Sequence, residues 1–377
     1  MARLTARRLN RATLARQLLL RRERLSVTDA VRRLVALQAQ EPASPYIALW
    51  DRLVDFDPAE LDRAFAEQAV VKATLYRVTL HAVAASDYPA VHEVMQRTLR
   101  AARLDDQRFT REGVSVAEVE ALIPDLVEFT ATPRTNQDVE RWIETRFGAP
   151  KARVWWALRH FGPFVHAGTG GRWTFGPRPS YVRARELARP GDVDASTRWL
   201  VRRYLEGFGP ATAQDIAQFS TIYRPPIQEA LRSMDGELER SEDPDGALLY
   251  DVPGGLLPAE DTPAPPRLMA MWDSALLAYT DRSRMVPPDH RKVIVRRNGD
   301  VLPTLLVDGY VAGVWRLIDG GIEATAFHRL DDDAWTGLEA EARALLPWLA
   351  ERDPAVYSRY GRWWTSLPSV EVRRLGV

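Results

Sequence analysis

The amino-acid sequence predicts an α+β protein of tandem helix–turn–helix units, each closed by strands, ahead of a β-rich C-terminal domain. Helix-start signals recur before apolar stretches of helical period. Each such stretch runs into a short strand-like segment, with glycine at its turn in the second and third units. Beyond residue 253 the chain changes to short apolar strands joined by Asn-Gly, Asp-Gly and Gly-Gly pairs. The length, 377 residues, suits two or three domains. Units are expected at 1–100, 101–190, 191–253 and 254–377.

In the first unit helices fit 5–22 and 26–37, the second with Val27, Val31, Leu34 and Val35 on one face. Asp57-Pro58 starts a third helix through about Gln68. VVKATLYRVTLHAV then reads as one strand. In the second unit Thr135-Asn-Gln-Asp138 is a capping box ahead of Val139, Trp142 and Ile143. Pro150 opens a helix with Val154, Trp155 and Leu158, and FVHAGTGGRWTF (164–175) reads as a hairpin with its tip at Gly168–Gly171.

The third unit is the clearest. A helix near 195–207 precedes a capping box, Thr212-Ala-Gln-Asp215, with Ile216 and Phe219 behind it. After a polar turn, Pro226 opens a helix burying Ile227, Ala230, Leu231 and Met234. Two strands around Asp245-Gly246 complete a helix–turn–helix with a β-hairpin wing. Residues 253–267 hold five prolines and read as a linker. Strands then fit 291–297, 300–307, 310–318 and 321–328, with a helix near 333–351 and a last strand near 370–376. Together they suggest a small α+β or barrel-like domain.

Composition removes several functions. Cysteine is absent, which excludes disulfides, thiolate zinc sites, iron–sulfur clusters and a cysteine nucleophile. Net charge is 51 − 51 = 0, so bulk charge alone does not point to nucleic acid. Yet only Lys72, Lys151 and Lys292 are lysines, and residues 1–33 alone hold ten arginines. That pattern fits a coding bias, and it also fits guanidinium forks for phosphate. No run approaches the roughly 18 apolar residues of a membrane span, and the basic N-terminus lacks a signal-peptide core. A cytoplasmic location is therefore expected. No Walker loop, GxGxxG, HExxH or GxSxG occurs, and no histidine stands at metal spacing from an acid. No cofactor or metal is implied.

The segment LVALQAQEPASPYIALW (34–50) sets Gln38 and Gln40 between an apolar helix and Pro42. Glu41 precedes proline and is biased away from helix, so the helix is expected to end near Leu37. On extended chain the two glutamines share a face. They also fit plain polar residues at a helix end. In strand 76–82, Arg77, Thr79 and His81 alternate onto one face. Asp273 and Asp281 are expected to pair with Arg282 or Arg284, and the Trp155-Trp156 and Trp363-Trp364 pairs to lie in the core.

LQAQEPASPYIALWDRL, YRVTLHAVAASDY (76–88) and DRSRMVPPDHRKVIVRRNGDVLPTLLVDGYVAGVWR (281–316) resemble the bacterial winged-helix DNA glycosylases. Within them the chain is similar to the AlkZ-type branch, marked by Gln-x-Gln where a related branch has Gln-x-Asp. The resemblance spans nearly the whole chain. It implies a C-shaped cradle of tandem winged helices, a β-rich C-terminal domain, and excision of N7-alkylated purines, including crosslinked ones. It makes Gln38 and Gln40 the catalytic pair. Arg77, Thr79 and His81 would line the site. Thr169, Arg172 and Trp173 at one hairpin tip, and Arg296, Arg297 and Asn298 at another, would probe DNA.

The chemistry is consistent with glutamine. Its amide has no useful acid–base pKa, but it can hold and orient a water. A purine alkylated at N7 is already cationic and leaves without protonation. The sugar then passes through an oxocarbenium-like state, as in glycoside hydrolysis. Double-stranded DNA with alkylated or crosslinked purines is thus the expected partner. Three different units in one chain suggest a pseudo-symmetric monomer. Alternatives are a non-catalytic winged-helix regulator, usually a symmetric dimer, and a self-resistance protein that sequesters a DNA-alkylating natural product.

Overall fold

The structure, a computed structural model, describes residues 1–186 and 191–376. The unit boundary expected at residue 190 falls outside them. One topology occurs three times. In the first copy strand Leu37–Gln38 leads into helices Ser44–Trp50 and Pro58–Ala66, then strands Val70–Thr74 and Leu80–Ala84. The last strand takes the middle of the sheet. In the second, Arg134–Thr135 leads into helices Asn136–Phe147 and Ala152–Phe161, then strands Phe164–Ala167 and Ser180–Arg183, with the last strand again central. In the third, Ala211 bridges Tyr250 ahead of helices Ala213–Ser220 and Arg224–Ser233. Strands Glu239–Glu242 and Leu248–Asp251 follow, and the N-terminal Ala2–Arg3 pairs in parallel with Ser241–Glu242.

Local signals explain these starts. Thr135 with Asp138 and Thr212 with Asp215 form reciprocal capping boxes, each cap contributing about 1 kcal/mol. A third box, Ser115 with Glu118, opens helix Val116–Ala121.

The first sheet carries a core on each face. Leu37, Val70 and Ala82 join a cluster with the C-terminal region, while Val71, Ala73 and Val83 join one with the second and third units. A sheet covered on both faces needs apolar residues on both. That explains the near-continuous run in VVKATL and LHAV, and it buries Gln38, Lys72, Thr74 and His81 with them.

Four sequence expectations are corrected. The helix expected at 26–37 is Val27–Arg33, because Val35 turns left-handed (φ 69°) and Leu37–Gln38 pair as strand. The strand over 70–83 is a hairpin whose turn places Arg77 and Val78 at φ 53° and 56°. The hairpin at 164–175 closes instead on Ser180–Arg183, leaving residues 168–179 as a loop. The strand at 291–297 is helix Pro288–Ile294, where proline in the first turn and Asp289 outweigh the β-branched residues after it.

The C-terminal sheet is antiparallel, in the order Arg267–Leu268, Thr304–Val307, Tyr310–Ile318, Gly321–Ala326, Glu371–Leu375. It is an open sheet. Its outer strands do not pair with each other, and no barrel closes. Helix Asp332–Arg352 runs beside it, sharing a core through Trp335, Leu338, Leu345 and Leu349.

The N-terminal arginines serve this assembly. Arg16 forks onto Asp251 at 2.7 Å through both nitrogens. Arg7 and Arg11 share Asp308, at the turn before Gly309 (φ 82°). Arg22 forks onto Glu341. These four arginines clasp the start of the chain to distant segments. Asp273 pairs with buried Arg52, and Asp281 caps Ser283, so neither takes the partner expected from sequence. No helix among the described residues is long and apolar enough to cross a membrane.

Candidate active site

The site is built around the first sheet. Gln38 lies directly opposite His81, so both side chains project to one face. Gln38 is 5% exposed. Its Oε1 accepts the Gln40 backbone N–H at 2.8 Å. That donor settles which amide atom is oxygen. One lone pair of the carbonyl stays free, and no hydrogen bond engages the amide nitrogen among the described residues. Gln40 is exposed, held by a long contact of Oε1 with the Leu80 N–H (3.5 Å). Gln38 is covered by the packed sheet while Gln40 is open to solvent. The pairing runs on past Gln38, with the Ala39 N–H donating to the Leu80 carbonyl at 2.8 Å, and Leu37 and Ala39 both join the core shared with the C-terminal region.

Gln40 opens on a cleft of ≈ 290 Å³ between the hairpin turn and the second unit. Thr74, Thr79 and Leu80 form one wall, and Arg103, Arg159, His160 and Tyr181 line the other. No carboxylate or lysine lines it among the described residues. The lysine of the hairpin, Lys72, is buried, with Nζ 4.3 Å from the Phe175 ring centroid. Burial lowers its ammonium to about 8.

Arg77, Thr79 and His81 do not form one exposed face. Thr79 lines the cleft. His81 is fully buried, and its Nδ1–H donates to the Thr79 carbonyl at 3.0 Å. Its Nε2 accepts from the Arg77 guanidinium at 3.2 Å. Burial first, then the Arg77 charge, holds His81 neutral. Arg77 lies over the Phe219 ring at 4.9 Å. The turn between the strands breaks the alternation that the sequence suggested.

His160 donates Nδ1–H to the Trp156 carbonyl at 2.7 Å. Burial, then the charge of Arg103, lowers it to about 3. The folded protein thus binds fewer protons here than the unfolded chain below about pH 6.5. The stability this contributes is full above that pH and is lost as pH falls towards about 3. His160→Gln should therefore flatten the pH dependence of urea unfolding between about pH 6.5 and 4 by up to one proton. Parallel curves for variant and parent would show that His160 is not held neutral.

The two expected DNA probes fare differently. Thr169 sits at an exposed tip, its hydroxyl accepting the Gly176 N–H. Trp173 is not a free probe. It is buried against Tyr46 and Trp348, with Nε1–H on Asp353 at 2.8 Å. Arg172, though exposed, pairs with the same Asp353 at 2.9 Å. The loop is docked on the end of helix Asp332–Arg352. At the second turn Arg297 is exposed and makes no hydrogen bond among the described residues. Arg296 lies over Trp363, and Asn298 bonds Asp300.

Trp155 is core, as expected. Trp156 is half-buried, with the guanidinium carbons of Arg103 and Arg108 at 4.8 and 4.6 Å from its ring. Sequence reasoning missed Arg103, Arg159 and Tyr181. They stand 63 or more positions beyond Gln40 in the numbering, and only docking of the second unit brings them to it.

Known proteins agree with this architecture. Residues 31–348 match the family described as "DNA glycosylase AlkZ-like". A Streptomyces sahachiroi protein, "Interstrand DNA cross-link repair glycosylase", is 24% identical over 331 residues, covering 83% of this chain and 88% of its own. The solved structure of the Streptomyces sahachiroi DNA glycosylase AlkZ superposes with TM-score 0.77 at 22% identity, covering 91% of this chain and 95% of its own. The similarity to that structure establishes a common fold, and the family match spans most of the sequence. The chain belongs to the AlkZ-like family of DNA glycosylases.

Proposed function

We propose that this protein is a monofunctional glycosylase that hydrolyses the N-glycosidic bond of cationic N7-alkylated purines in duplex DNA, interstrand crosslinks included. The observation that carries the reading is an exposed Gln40 in a cleft with two arginines and no acid. Gln40 holds the attacking water by its carbonyl. Gln38 fixes the Gln40 backbone and adds a dipole near the developing positive charge. Arg103 and Arg159 meet backbone phosphate. A cationic leaving group needs no proton, and the neutral histidines supply none. The lack of a lysine in the cleft favours hydrolysis without a lyase step.

The three repeated units are read as winged helices forming an open cradle, with Thr169 and Arg297 reaching towards DNA. Such a cradle suits a crosslinked base, which cannot swing into a closed pocket. We read the protein as a cytoplasmic monomer.

The test is incubation with duplexes carrying one N7-methylguanine or one N7-linked crosslink, followed by alkaline cleavage at abasic sites. Strand scission at the lesion is expected. Unmodified guanine in the same duplex should stay in place, because its departure needs a proton that nothing here donates. Its release would show that leaving-group charge is not the selector.

A further inference from the structure

The side chain of Gln40 makes only one long contact, so its place depends on what holds the backbone on either side of it. On the N-terminal side Gln38 Oε1 takes the Gln40 N–H. On the C-terminal side stands Glu41, and its carboxylate finds its partners 318 and 319 positions later. Glu41 Oε2 accepts the Tyr360 O–H at 3.0 Å and pairs with the Arg359 guanidinium. Arg359 Nη2 also donates to Tyr360 Oη at 2.6 Å, which closes a triangle of charge-assisted bonds. Among the described residues the Glu41 carboxylate has no other partner. Three residues on, Ser44 Oγ lies 3.0 Å from Tyr357 Oη. Residues 41–44 are therefore fastened at two points to residues 357–360.

The same C-terminal stretch grips a second element. The Tyr360 ring meets Trp272 edge-on, with centroids 5.5 Å apart, and Trp272 Nε1–H donates to the Gly299 carbonyl at 2.7 Å. Asp300 Oδ2 accepts from Trp363 Nε1 at 2.8 Å, from Arg362 Nη2 at 3.2 Å and from Asn298 Nδ2 at 2.9 Å. The turn that presents Arg297 is thus bound to the 3-10 segment Ser358–Ser366, whose first turn holds Glu41. Trp272 and Tyr357 both sit in the left-handed region (φ 54° and 60°) although neither is glycine. Each such residue costs on the order of 1 kcal/mol or more and persists where surrounding structure imposes it.

We propose that Tyr360 and Arg359 are positioning residues that act through Glu41 to hold Gln40 at the mouth of its cleft, in fixed register with the Arg297 turn. Neither touches the reacting atoms. Gln40 has to meet its water and the sugar at one geometry, and a displacement of about 1 Å in such a group costs up to about 100-fold in rate. This inference rests on the glycosylase reading.

The experiment follows release of N7-methylguanine in single turnovers at saturating protein, for the parent, Tyr360→Phe, Gln40→Ala and the double variant. Arg343→Ala on the C-terminal helix is the control. Duplex affinity by fluorescence anisotropy and melting temperature by circular dichroism are measured alongside. Tyr360→Phe keeps the ring on Trp272 and removes only the hydroxyl. It should lower the saturated rate roughly tenfold, within the cost of a small misplacement, and leave affinity unchanged. In the Gln40→Ala background the same substitution should lower the rate no further, as an effect routed through Gln40 requires. A rate equal to that of Arg343→Ala, or the same fold loss in both backgrounds, overturns the proposal. Arg359→Ala, at a side chain 66% exposed, should reproduce the pattern of Tyr360→Phe, and it decides the matter if Tyr360→Phe melts below the parent. If the parent itself releases no N7-methylguanine, the glycosylase reading falls, and the positioning role with it.

Discussion

Replacing Gln40 with Ala should slow release of N7-methylguanine by roughly 10²- to 10³-fold under single-turnover conditions, the effect of losing one preorganised dipole from a transition state. Duplex affinity should barely change, because the phosphate contacts come from arginines elsewhere. Thermal stability should also hold, since the side chain is exposed and makes only one long hydrogen bond. Gln38→Ala should behave differently. It removes the acceptor that fixes the Gln40 N–H at 2.8 Å, so both rate and melting temperature should fall. Rates per bound complex near that of the parent for Gln40→Ala would remove it from the chemistry.

The largest loss of stability is expected at Arg52 and Asp273. Both are about 1% exposed and joined by two bonds of 2.9 Å. Arg52 also donates to the carbonyls of Gln17 and Ala48, and Asp273 caps Ala275. The pair ties the first unit to the start of the C-terminal sheet region. Asp273→Ala leaves a buried guanidinium without its counter-charge and should cost about 3–5 kcal/mol. Replacing both residues, Arg52→Met with Asp273→Leu, should cost less than Asp273→Ala alone, because no orphan charge remains. Urea unfolding followed by circular dichroism would measure both. A double variant no better than the single would show that packing, rather than the buried charge, sets the loss.

Much of this protein is legible in its sequence for local reasons. The Thr-x-x-Asp boxes, the prolines at helix starts and the Asp308-Gly309 turn act within a few residues of themselves, so each is visible in a short window. The Gln-x-Gln pair is legible too, as a family motif. The tertiary structure decided what local pattern cannot hold. Val70–Val83 looks like one strand until two cores require a hairpin with a left-handed turn, and that turn buries His81 and lays Arg77 over Phe219. Trp173 looks like a probe until Asp353, 180 residues later, takes its N–H. The ten N-terminal arginines look like a phosphate patch until carboxylates more than 200 positions away claim five of them. Gln38 and Gln40 differ in exposure because the packed units cover the first and leave the second open on the cleft. Burial and long-range partners depend on which surfaces meet, and that is a property of the packed chain rather than of any stretch of it.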